Sequence, residues 1–194
     1  MRTIVLLLLL LLFPTVQTVA APAGIDPLFN GIQFGDPPGD NMLCTAGPCT
    51  VGRISSGHRH PNQIVSVYKM PLAATQLDGV EISAAEYSFF SNRLFRIGFK
   101  VLCPPDRAEI CMNRLADTLT ERYGMTRINQ IFDSARPGQA IMQQNFLTAD
   151  GDRIEFCLYQ ENGQWMQPYV SFFRPELMDA VRLTANPKYR PNVN

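Results

Sequence analysis

An apolar leader followed by five cysteines restricts this chain more than any other feature. Arg2 supplies a positive start, residues 4–13 are unbroken apolar, and Thr18-Val19-Ala20 offers small residues for cleavage. The apolar run covers about ten residues, whereas a spanning helix needs about twenty. Pro14 and Gln17 interrupt it before it lengthens. Residues 1–20 therefore read as a signal peptide cleaved after Ala20, with Ala23 as the next candidate. The pattern implies a periplasmic or secreted mature chain, in a space where thiols oxidise, with no stable membrane insertion after cleavage. No asparagine begins an Asn-x-Ser/Thr triplet, which favours a bacterial periplasm over a glycosylating route.

Oxidation turns the cysteines into structural constraints. Cys44, Cys49, Cys103, Cys111 and Cys157 are odd in number, so at least one finds no partner within the chain. Proximity favours Cys44–Cys49 around Thr45-Ala46-Gly47-Pro48, and Cys103–Cys111 between a strand end and a helix start. Other connectivities stay open to the same residues. Loops this short contribute about 2–3 kcal/mol each in the chain-entropy account. Cys157 is then the free thiol, facing away from Ile154, Phe156 and Leu158. Neither Cys-x-x-Cys nor a zinc-type spacing occurs.

After cleavage about 170 residues remain, the length of one ordinary domain. Such a chain buries about 70% of its unfolded surface, so the disulfides reinforce a core instead of replacing one. The 17 basic and 17 acidic residues cancel. That balance gives no nucleic-acid footprint and no polybasic membrane patch.

Residues 21–30 read as a linker, 31–185 as a single α+β domain, and 186–194 as a frayed tail. Gly31-Ile32-Gln33-Phe34-Gly35 has the pattern of a short first strand, and 36–62 that of a long ordered loop. Residues 64–69 are β-branched and apolar, hence a strand. Strands 86–90 and 94–101 flank the turn Ser91-Asn92-Arg93. In the second arm Phe95, Ile97, Phe99 and Val101 alternate with Arg96, Gly98 and Lys100. A helix follows, with Asp106 as N-cap, Glu109 completing a capping box, and Gly124 as the stop. Ala108, Cys111, Met112, Leu115, Ala116, Leu119 and Tyr123 form its apolar stripe.

Further strands are predicted over 140–146, 153–160 and 165–173, the first two joined through Asp150-Gly151-Asp152. Pro168 lacks an amide proton, which assigns the last of them to a sheet edge. Residues 175–183 read as a closing helix. The sum is an α+β fold: an antiparallel sheet of about six strands, one main helix packed on one face and a short C-terminal helix.

Gly31-Ile32-Gln33-Phe34-Gly35, then Phe89-Phe90-Ser91-Asn92-Arg93-Leu94-Phe95-Arg96-Ile97, then a helix ending Tyr123-Gly124, form a recognisable series. It resembles a pattern in small exported bacterial α+β proteins, mostly of unknown function. The resemblance implies a fold and a compartment, and it carries no active site. The segment with Cys44 and Cys49 departs from that pattern.

Candidate chemistry is sparse. His58 and His60 flank Arg59 and would face the same side of an extended segment, where they could pinch a copper, zinc or nickel ion. Ser55 and Ser56 lie beside His58, but Gly-x-Ser-x-Gly is missing and no acidic orienter can be named. Trp165 and Tyr169 share strand parity in the predicted strand and offer an aromatic binding platform. These readings favour an exported, non-catalytic binding or interaction module of the cell envelope, without a cofactor. Its expected partner is an envelope protein, a peptide or a glycan. A small metal- or thiol-dependent periplasmic enzyme is the first alternative. A secreted inhibitor or effector that presents the loop pinned by Cys44 and Cys49 is the second.

Overall fold

The computed structural model describes residues 31–49, 53–54, 64–70, 75–77, 79–136 and 139–188. The leader, the linker, His58, His60 and the end of the tail from 189 lie outside the described residues. The first half holds β1 (Leu43–Ala46), β2 (Arg53–Ile54), β3 (Val65–Lys69), β4 (Gln76–Leu77), β5 (Val80–Glu81), β6 (Glu86–Phe90) and β7 (Arg93–Lys100). A 3-10 turn at Pro105–Arg107 leads into α1 (Ala108–Tyr123). Then come β8 (Thr126–Arg136), β9 (Gln139–Leu147), β10 (Arg153–Glu161), β11 (Gln164–Trp165), β12 (Tyr169–Phe173) and α2 (Pro175–Ala185).

Ten strands form one open sheet, in the order β2-β1-β3-β6-β7-β12-β10-β9-β8, with β11 hydrogen-bonded to β10 beside that path. β4 and β5 make a separate ribbon. Neighbours in the main sheet run antiparallel except β1 and β2, which are parallel. The architecture is α+β with two helices, but the sheet is much wider than the six strands expected. β1, β2 and β8 account for most of the difference. β1 and β2 fall in a stretch whose Pro, Gly and Ser content reads as loop.

Two local expectations are also corrected. Residues 31–35 form no strand; Gly35 N donates to Leu94 O at 2.8 Å and Leu94 N donates to Asp36 O at 2.8 Å, tying the segment to β7 without a ladder. The last strand is central, between β7 and β10, because Pro168 stands one residue before β12. Its missing amide costs the ladder nothing there, and its carbonyl accepts from Val101 N at 2.8 Å.

The β6–β7 turn is a two-residue turn at Ser91 (φ 48°) and Asn92 (φ 59°), so Arg93 already belongs to β7. Two consecutive positive φ values match the twist of the strands they join. Pairing shifts from Ser88↔Arg96 to Phe89↔Leu94, which leaves Phe95 as the extra residue of a bulge. Leu94, Ile97, Phe99 and Val101 consequently reach the core, while Phe95 is buried outside that cluster.

One row shows how the core is built. Tyr68, Tyr87, Ile97, Phe172, Ile154 and Phe146 oppose one another in register across β3, β6, β7, β12, β10 and β9. All are buried. Onto this face α1 lays Ala108, Met112, Leu115, Ala116 and Leu119, the stripe expected of a helix with one apolar side. Asp106 sits in the 3-10 turn and makes no capping bond; the helix starts at Ala108 after Arg107. Gly124 adopts φ 60° and ends it in the left-handed manner. Gln144, buried on the same face, donates to Asn113 Oδ1 at 2.7 Å and accepts from Arg127 at 3.3 Å, so its amide is satisfied.

Cys44–Cys49 and Cys103–Cys111 are disulfide pairs, with Cα atoms 6.2 and 6.6 Å apart. The second staples the exit of the β7 region to α1. Two such links fit an oxidising compartment. Among the described residues no helix is long and apolar enough to cross a membrane.

Candidate functional site

The sheet face opposite α1 carries the chemistry. Its residues follow from the register: Lys69, Glu86, Gly98, Ser171, Glu155 and Asn145 form one row, and Lys100, Tyr169, Cys157 and Gln143 the next. Each strand contributes because alternate side chains leave the core face. β9 shows the alternation most cleanly: Ala140, Met142, Gln144 and Phe146 are buried, while Ile141, Gln143 and Asn145 between them are more exposed.

Arg96 organises one half of the face. Its Nε donates to Ser171 Oγ at 3.1 Å and a terminal nitrogen donates to Tyr169 Oη at 2.9 Å. Its guanidinium also lies 5.2 Å from the centre of the Tyr169 ring. Tyr169 can lie across the sheet because Gly98 has no side chain; a Cβ there would meet the phenol ring. Glu155 organises the other half. It accepts from Gln143 Nε2 at 3.0 Å and from the Cys157 thiol at 3.2 Å, and Gln143 also donates to Asn145 Oδ1 at 3.1 Å. Lys69 and Glu86 form an ion pair of 3.4 Å at the β3–β6 side, largely exposed.

Cys157 is unpaired and buried. Burial, then the negative charge of Glu155, pushes its thiol from 9.0 up to about 12. The thiolate is the nucleophile, so this cysteine is a weak one at neutral pH. Burial likewise raises Tyr169 and Tyr159 above the ordinary phenol range, leaving both as neutral hydroxyls.

At the β8 end of the sheet the polar rows give way to a groove of about 400 Å³. Ala140, Ile141, Tyr159 and Met166 supply its apolar surface; Asp133, Gln139, Gln160 and Glu161 supply its polar rim. Tyr159, two residues after Cys157 on the same side of β10, joins the groove to the polar rows. Met166 is held in place by its own amide, which donates to Tyr159 O at 2.8 Å.

Trp165 and Tyr169 do not share a face. Trp165 packs against the main core, whereas Tyr169 lies among the polar rows. Residues 166–168 separate β11 from β12, so the parity of one continuous strand does not carry across. His58 and His60 lie outside the described residues, and among those described no group of three His, Cys, Asp or Glu side chains could hold a metal. Arg96, Gln143 and Ile141 carry no functional signal in the sequence, and Glu155 and Tyr159 stand there only among scattered carboxylates and late aromatics. Period-two alternation puts them on one face within each strand, but only the pairing register brings them together.

An open, mostly antiparallel sheet with one helix packed on its core face and polar rows on the other defines the class of this protein. No protein-family model matches the chain. No curated protein and no solved structure matches it either.

Proposed function

We propose that this is an exported binding module of the cell envelope, without catalysis, acting in a periplasmic or secreted setting after loss of residues 1–20. The leader motif and the two disulfides support export. The mature part is read as a single domain over 31–185. The groove carries the binding reading: Ile141, Tyr159 and Met166 form an apolar wall while Asp133 and Glu161 stand on the rim, and no basic residue occurs among its described lining residues. That combination suits a peptide segment of an envelope partner presenting an aliphatic stem with a cationic head, with Tyr159 available for cation–π contact.

A photo-crosslinking residue placed at Tyr159 in the exported protein should yield one dominant adduct, identifiable by mass spectrometry. Tyr159→Ala and Met166→Ala variants should lose that partner in pull-downs while keeping the far-UV and near-UV circular dichroism of the parent. Undiminished capture by both variants would sink the assignment of the groove. A mature chain whose mass still contains residues 1–20 would sink the export reading.

A further inference from the structure

We infer that the chain pairs with a second copy of itself along β8, making one continuous antiparallel sheet about a two-fold axis at Ile131. This goes beyond the groove and does not depend on its ligand. β8 ends the sheet, so among the described residues no strand lies beside one side of its 11-residue backbone. Soluble proteins blunt such edges with charged side chains, Pro, bulges or short length, because unpaired strand backbone recruits another strand; in β8 the bulges flank the central run 129–133 and leave it regular. The segment Thr126–Arg136 contains neither Lys nor Pro. At the opposite end the described edge strand, β2, has 2 residues.

The side chains point the same way. Ile131 is 47% exposed and Phe132 61%, on opposite faces of β8, with Ile141 beside Ile131 on the polar face. The occupant is a second copy because the strand complements itself. Antiparallel pairing about Ile131 sets Ile131 against its counterpart, Asn129 against Asp133, and Gln130 against Phe132. No like charges meet, and each Asp133 carboxylate faces an amide donor. Register shifts at Arg127/Asn129 and Asp133/Arg136 bound the regular run, so the added pairing covers 129–133 and stops. Joining identical edges in this way is isologous and consumes β8 in both copies, so assembly closes at two. The two-fold axis is perpendicular to the sheet. Both polar faces, and both grooves, then open on the same side.

Sedimentation equilibrium of the oxidised mature chain tests this over a concentration series. The expected result is a monomer–dimer equilibrium whose dissociation constant rises at least about tenfold in Ile131→Lys. A wild-type chain monomeric throughout, a dimer indifferent to Ile131→Lys, or oligomers beyond two would each overturn the proposal. Register is read separately by cross-linking. Opposed residues lie about 4.5–5.5 Å apart between Cα atoms, within disulfide reach. Ile131→Cys should therefore form a covalent dimer. Asn129→Cys alone should not, but Asn129→Cys combined with Asp133→Cys in one chain should. Equal cross-linking by Asn129→Cys and Ile131→Cys alone would reject the stated register.

Discussion

At the scale of single residues, the polar face depends on one position that has no side chain. Gly98 admits the Tyr169 phenol over the sheet, and that places the hydroxyl within reach of Arg96. Gly98→Ala forces the ring aside and should destabilise the protein by about 1–3 kcal/mol, read from urea denaturation midpoints. Combined with Tyr169→Ser, which removes the obstacle, the added loss should nearly vanish. Additive losses in that double-mutant cycle would show that the ring is not what the new methyl meets.

Cys157 gives a prediction with a definite pH window. Its folded pKa is raised above the unfolded value, so its contribution to stability is fully present below 9.0 and is lost as pH rises towards about 12. Tyr87, pushed by burial from 10.0 to about 12, weakens the fold over the upper part of the same window. Cys157→Ser keeps a donor for Glu155 and does not ionise, so its stability curve should fall less steeply than that of the parent from pH 9.0 upward. Parallel curves for the two proteins would show that the thiol takes no part in the alkaline loss.

At the scale of elements, α1 was the most legible piece and β8 the least. The α1 stripe recurs every three or four residues, and its inner members Leu115 and Leu119 are buried. Replacing either with Ala should cost about 2–5 kcal/mol, measured by thermal or chemical unfolding. A loss below 1 kcal/mol, about the lower end of a conservative core change, would contradict the packing of that face. β9 and β10 were legible because alternation and the Asp150-Gly151-Asp152 turn agreed; Asp152 is also held by Arg174 Nε at 2.9 Å. β8 carries Ile128, Ile131 and Phe132 at i, i+3 and i+4, a helical spacing instead of a strand's alternation, and all three are exposed. It is a strand because β9 pairs with it, not because its own pattern demands one.

For the molecule as a whole, the decisive element is the last strand. β12 lies between β7 and β10 and joins the N-terminal strands to the β8–β9–β10 meander. A chain ended after Gln167 would leave the two groups without their shared neighbour. It should lose its near-UV circular dichroism and its sharp calorimetric transition. A truncated chain that still unfolds cooperatively would mean that α1 alone holds the halves together. Because these contacts are distant in sequence, the sheet is complete only when the C-terminal segment is in place.

Read without any structure, the residues establish the leader pattern, the one-sided helix, the β6–β7 hairpin and the plausibility of two short disulfide loops. Each depends on neighbours a few positions apart, so local stereochemistry and burial periodicity are enough. The width of the sheet, the central place of β12 and the meeting of Arg96, Tyr169, Glu155 and Cys157 belong to the tertiary structure alone. They depend on which strand pairs with which, and in what register. A single slip in pairing would exchange core and solvent faces while leaving every local pattern intact.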